Sequence, residues 1–164
     1  MMDQASVRKV TALLRNCNVM SIATSEGGIP WAASVFFVAD NSFNLYFISG
    51  QGSRHSRNIN TNPSASATVN KDHRDWFSIS GLQIEGNVDI SPLEERERTL
   101  ARYLNKFPNL IQLRDNPSNK GEKLIAERIL SSGFYRLQPR TIRLIDNSLS
   151  FGFKTEMRFP HDGN

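Results

Sequence analysis

"LYFISGQGSRHSRNINTNPSASATV", residues 45–69, holds the pattern on which the fold turns. It falls into three parts. "LYFIS" (45–49) is a short apolar run and reads as a strand. "SRHSRNINTNP" (53–63) opens on Ser53, a good N-cap, and closes on Asn62-Pro63, a good stop, so it reads as a short helix. "SASATVN" (64–70) then reads as a strand of small residues. The helix start raises an electrostatic question. Arg54 and His55 sit in the first turn, where the partial positive charge of a helix N-terminus disfavours them. A bound phosphate reverses that cost, because Ser53 offers a hydroxyl, Arg54 can bond two phosphate oxygens at once, and His55 adds a donor. The same residues also suit a solvated helix start, and no Gly-rich phosphate cradle accompanies them.

The flanks extend the pattern. "ASVRKVTALLRN" (5–16) spaces Val7, Val10, Leu13 and Leu14 as an amphipathic helix. "VMSIAT" (19–24) and "WAASVFFVA" (31–39) read as strands joined by "SEGGIP", where two glycines allow positive φ and Pro30 is expected to stop pairing. "DNSFN" (40–44) is a second turn. "WFSISGLQIEGNVDI" (76–90) reads as a long strand whose Gly81 and Gly86 point to a bulge or a close backbone approach. "SPLEERERTLARYLNKFP" (91–108) is the clearest helix, with Ser91 as expected N-cap, Pro92 as first helical residue and Glu94 completing a capping box. Its expected apolar stripe is Leu93, Leu100, Leu104 and Phe107, with Glu–Arg pairs on a solvated face. "RDNPSNKGEK" (114–123) reads as a polar loop, "EKLIAERILS" (122–131) as a helix, and "FYRLQPRTIRLID" (134–146) and "FKTEMRF" (153–159) as closing strands. About seven short-linked strands and about four helices predict an antiparallel barrel or sheet with helices outside it.

The totals set the class. The chain has 164 residues, enough for one domain spanning 1–164 with its own core. No apolar run approaches membrane-spanning length, and the first residues lack the apolar centre of a signal peptide, so the expected location is the cytoplasm with no membrane partner. The lone cysteine, Cys17, rules out an internal disulfide and reads as a small buried residue. A net charge of +4 permits a phosphorylated ligand without demanding one. The aromatics alternate as in a core rather than interleaving with basic patches, so nucleic acid is not an expected partner.

Taken in order, these segments resemble the flavin-binding split-barrel superfamily that contains the pyridoxamine 5'-phosphate oxidases. The resemblance rests on "GGIPWAASVFFVADNSFNLYF" (27–47), on Ser53-Arg54-His55, on Asn58-Ile59 and Asn62-Pro63, and on "LQIEGNV" (82–88). The tail "DNSLSFGFK" (146–154) resembles that of an uncharacterised bacterial branch of the superfamily. The resemblance implies an α+β, mainly β fold: an antiparallel split β-barrel of about six to seven strands with flanking helices. It implies a homodimer with FMN at the interface. Ser53, Arg54 and His55 would hold the phosphate. The backbone of Phe47, Ile48 and Ser49 would line the phosphate and ribityl chain. Ala33, Ser34 and Val35 would face the isoalloxazine ring through main-chain groups. The implied activity is that of a flavin-dependent oxidoreductase, with catalytic residues and substrate unassigned. The alternative is a non-catalytic barrel that binds flavin or haem, or senses, or holds no cofactor.

The chain departs from the oxidases in three places. His55 replaces a Lys, Gly81 stands where the oxidases carry a flavin-contacting Gln, and "FGFKTEMRFPHDGN" (151–164) has no match for their terminal Trp and Arg. Those departures weigh against oxidation of pyridoxamine phosphate itself. His55, His73 and His161 have no metal-ligand spacing, so no metal is expected, and His161 reads as a solvated tail residue. "NKDHRDW" (70–76) reads as a loop that, in such a fold, could lay Trp76 over a partner's cofactor.

Overall fold

The computed structural model describes residues 2–160, apart from the side chains of Leu93 and Leu130. The elements are α1 (Gln4–Asn16), β1 (Val19–Glu26), β2 (Ile29–Ala39), β3 (Leu45–Ser49), α2 (Arg54–Thr61), β4 (Ser64–Asn70), β5 (Ser80–Ile90), α3 (Leu93–Lys106), α4 (Asn109–Asp115), α5 (Lys120–Ser131), β6 (Gly133–Asp146) and β7 (Lys154–Arg158). The strands run in the order β3-β2-β1-β4-β5-β6-β7, all antiparallel. An added β3–β6 pairing closes the first six into a barrel, and β7 extends β6 outside it. The split-barrel expectation therefore stands. No helix among the described residues is long and apolar enough to cross a membrane.

The β1–β2 hairpin turns on Gly27 and Gly28, both at positive φ (57° and 79°), which only glycine adopts freely. Pro30 does not stop pairing as expected. It lies opposite Ser25 within the hairpin. Proline is tolerated there because β2 meets β3 only over Phe37–Ala39, so residues 29–36 have no strand partner on the β3 side. Continued past Phe37↔Phe47, the register would set Val35 opposite Ser49, but β3 parts from β2 before that point.

Alternation in the strands fills the barrel. Phe37, Phe47, Leu45, Leu82, Ile84, Leu137, Ile142 and Leu144 share one buried cluster with Val10, Leu13 and Leu14 of α1 and with Cys17. Tyr46 points the other way, into a separate cluster with Val38 and Tyr103 that lies under α3. The long strand bulges at Glu85/Gly86, as the glycines suggested. A Cβ at Gly86 would lie 2.1 Å from the Gln138 carbonyl oxygen, so the two backbones approach too closely for any side chain.

Several local expectations fail. Ser91 is not the N-cap of α3. It is buried, its N–H donates to Phe134 O at 2.8 Å, and its Oγ finds no partner, because Ser91 belongs to the end of the sheet. The helix starts one residue later, with Pro92 as N-cap and no side-chain cap. Residues 76–79 turn on Asp75, which accepts from Phe77 N at 2.9 Å, so the strand begins at Ser80. Five helices stand where four were expected. Pro108 restarts the chain as α4, and the loop shrinks to residues 116–119.

The packing of α3 also differs from the expected stripe. Thr99 and Tyr103 are its buried residues, while Leu100 and Leu104 face Leu110 and Leu113 of α4 and Ala126 and Ile129 of α5. Leu93 falls among the side chains outside the description. The face read as solvated carries fold contacts. Tyr103 Oη donates to Phe36 O at 2.7 Å, and Lys106 Nζ donates to Leu14 O (3.1 Å), Cys17 O (2.7 Å) and Phe37 O (3.0 Å). Lys106 thus caps the C-terminus of α1, where a cation is favoured.

Candidate functional site

The end of β3 and the start of α2 gather a cluster of hydroxyls around one imidazole. Ser53 caps α2, its Oγ accepting from Ser56 N at 3.3 Å and donating to Ser56 Oγ at 2.8 Å. His55 Nε2 lies 2.7 Å from Ser49 Oγ and 3.0 Å from Ser53 Oγ. The ring is 8% exposed, so His55 is turned into the fold rather than out to solvent, and burial holds its pKa below the usual imidazole value. Its position one residue past Arg54 puts it on the inner face of the helix, near the Phe47 ring. Ser49 and Ser53 remain half-buried.

Arg54 flanks this cluster. Its guanidinium lies 4.5 Å over the Trp31 ring, a stacking geometry that restrains a long side chain. Trp31 went unnoticed in the sequence, since an aromatic in an apolar strand reads as core. It is instead 40% exposed at the open edge of β2. Arg57 donates to Gly52 O and ties down the loop that leads into the helix.

Two asparagines seat α2 on the hairpin. Asn58 Nδ2 donates to Thr24 Oγ1 at 3.1 Å, and that hydroxyl lies 3.5 Å from Trp31 O. Asn62 Nδ2 donates to Ser25 Oγ at 3.1 Å, while its Oδ1 accepts from Ser64 N at 3.1 Å. These contacts supply the physical reason for asparagine at both positions. Each links the helix to a strand edge that has polar groups to satisfy.

The remaining residues singled out in the sequence fall in two groups. Ala33, Ser34 and Val35 lie on the stretch of β2 that lacks a β3 partner, with Ser34 exposed and Val35 buried. Phe47 is fully buried, backbone included, between Phe37 of β2 and Tyr135 of β6, and Ile48 is half-buried. His73 accepts from Ser80 N at 3.3 Å, which makes it part of the loop's own structure. His161 lies outside the described residues. Among the described residues no three His, Cys, Asp or Glu side chains gather as a metal site. The arrangement brings together two hydroxyls, a guanidinium and an open strand edge, which suit an anion attached to a planar group.

A family model described as pyridoxamine 5'-phosphate oxidase matches residues 6–143. The chain is 25% identical over 146 residues to a UPF0306 protein of Yersinia pseudotuberculosis, covering 88% of each. Among solved structures, a heme binding protein of Mycobacterium smegmatis superposes with a TM-score of 0.71 at 14% identity, over 96% of this chain and 60% of that one. HutZ, the heme storage protein of Vibrio cholerae, superposes with a TM-score of 0.63 at 18% identity, over 80% of this chain and 88% of that one.

Proposed function

The chain belongs to the pyridoxamine 5'-phosphate oxidase family, and on that premise we propose that it binds FMN as a homodimer and works as a flavin-dependent oxidoreductase. The observation that carries this reading is the Ser49–Ser53–His55 cluster at the start of α2, with Arg54 beside it. Ser49, Ser53 and Arg54 would hold the phosphate, the buried His55 orienting the two hydroxyls. The unpaired edge of β2 at Ala33, Ser34 and Val35 supports a ring held by main-chain groups. Bound flavin supplies the electron transfer, and the chain supplies position and electrostatics. Oxidation of pyridoxamine phosphate is not part of the proposal. At Gly81 a Cβ would already fall 2.1 Å from Asn70 Oδ1, so a long flavin-contacting side chain there would displace Asn70.

Flavin fluorescence titration tests the reading. The parent should bind FMN and bind riboflavin, which lacks the phosphate, far more weakly. Equal affinity for both flavins would remove the phosphate site. The solved haem proteins of the same fold make haem the second ligand to titrate. Haem binding without flavin binding would replace the oxidoreductase reading with that of a cofactor-binding barrel.

A further inference from the structure

A cleft of about 660 Å³ opens at the opposite end of β2 from Trp31 and α2, between α1, α3 and the β2–β3 turn. Trp31 and Ala39 bracket the strand, roughly 26 Å apart for an extended run of that length. The cleft is therefore separate from the site at α2, and its volume falls in the range of small-molecule sites. Its charged lining comprises Arg15, Arg102, Lys106 and Asp40.

The acid and the bases are not equally available. The Asp40 carboxylate already accepts from Ser42 N (2.9 Å), Asn44 N (2.9 Å), Asn44 Nδ2 (3.0 Å) and Tyr46 Oη (3.0 Å). Its charge is committed to the turn. The Lys106 ammonium spends three hydrogen bonds on backbone carbonyls, so it contributes field to the cleft rather than contact. Burial holds that ammonium down at about 8, a cost that a nearby anion would offset.

Arg102 differs from both. Its guanidinium lies 5.1 Å over the Tyr46 ring and 3.7 Å from Glu95 Oε2, a carboxylate that Arg98 also engages at 3.3 Å. One carboxylate shared by two arginines leaves a surplus positive charge; Arg102 Nη1, the nitrogen facing Glu95, is itself buried, while the side chain as a whole is 32% exposed. Arg15, at the exposed last turn of α1, lines the same cleft. Leu14 and Val38 are almost fully buried, so the apolar surface the cleft presents comes from the half-buried Ala39 and Phe43.

We propose that this cleft is a second ligand site, one that takes a small organic anion, with its carboxylate or phosphate held by Arg15 and Arg102 and its apolar body against Ala39 and Phe43. Two arginines for the charge and an apolar wall for the body match an amphipathic anion. A bare inorganic ion would leave the wall unused.

The test is a ¹H–¹⁵N NMR titration of the full chain with benzoate, phenyl phosphate and neutral benzyl alcohol. Benzoate or phenyl phosphate should shift amides of residues 11–15, 38–43 and 102–106 with saturation, and benzyl alcohol should not. Arg15→Gln and Arg102→Gln should each weaken the anion at least five-fold. Arg15 is exposed, so its variant keeps the test informative if loss of Arg102 disturbs the fold. No saturable shift with either anion would overturn the proposal, as would shifts confined to residues 49–57 or left unchanged in the Arg15→Gln variant. FMN binding at α2 is read by fluorescence on the same samples, so the two sites stand or fall separately.

Discussion

Arg54 carries the sharpest expectation at the scale of single residues. Arg54→Ala should weaken FMN by roughly 1.5–3 kcal/mol, the size of a hydrogen bond to a charged group, and leave riboflavin almost untouched. Identical FMN affinity in parent and variant would assign the helix start to solvent. The neighbouring imidazole behaves differently from an exposed one. Burial lowers the His55 pKa in the folded chain, so the unfolded chain takes up its proton first as pH falls. Stability linked to His55 is thus intact above about 6.5 and lost progressively below it. Urea midpoints of the parent should fall more steeply than those of His55→Gln between pH 6.5 and 5, and parallel curves would contradict this. Lys106 shows what a sequence conceals. "LNK" at a helix end resembles any solvated lysine, and only the fold places Leu14 O, Cys17 O and Phe37 O around its ammonium. Lys106→Met should cost about 2–3 kcal/mol, since charge-assisted bonds are lost and carbonyls are stranded. Thermal denaturation would read that loss, and an unchanged midpoint would count against the capping role.

At the scale of elements, legibility followed locality. The strands around residues 19–49, the short helix at Ser53 and the glycine bulge were visible because turn residues and alternation are encoded by neighbours in the chain. The bulge makes its own prediction. Gly86→Ala must push the β5 and β6 backbones apart, and overpacking of that kind costs roughly 1–3 kcal/mol. Gly81→Ala should cost less, because the Cβ there meets Asn70 Oδ1, the end of a side chain that can swing away, and its nearest backbone atom, Val69 O, is at 3.0 Å rather than 2.1 Å. Equal losses in a chemical denaturation series would contradict the distinction. What misled was nonlocal. Ser91 has the local signature of a cap, yet its N–H is claimed by Phe134 across the sheet. Leu100 and Leu104 have the local signature of a core stripe, but α4 and α5 cover them, and Tyr103 makes the contact with the barrel.

At the scale of the molecule, the outer surface bears on assembly. The family resemblance implied a homodimer. In the fold, α3 covers the outer face of β3 through Tyr103. The exposed apolar groups of the β1–β2 hairpin include Val19 and its pair partner Phe36, at 41% and 60% exposure on one face. A two-fold contact there would bury them beside the open edge of β2 and complete two equivalent ligand sites. Light scattering at micromolar concentration should therefore give a dimer, and Phe36→Glu should shift it toward monomer. A monomeric parent would defeat the expectation. The candidate site was legible as a set of residue types, but not the inward turn of His55 or the stacking of Arg54 on Trp31, because both depend on how α2 sits on the hairpin.

The β3–β6 seam has a consequence in time. Leu45–Ser49 pairs with residues that lie beyond α3, α4 and α5 in the chain, Gly133–Leu137. On a ribosome, β3 emerges long before its second partner and holds an unpaired edge while three helices are still being made. Contacts at such sequence separation are slow to form, and an open apolar strand is prone to pair with the wrong chain. Ser49 ends that strand, so the hydroxyl cluster at α2 matures only after β6 has been made. Chains stalled before residue 133 should expose "LYFIS" to chaperones and protease, and should lack a competent phosphate cradle.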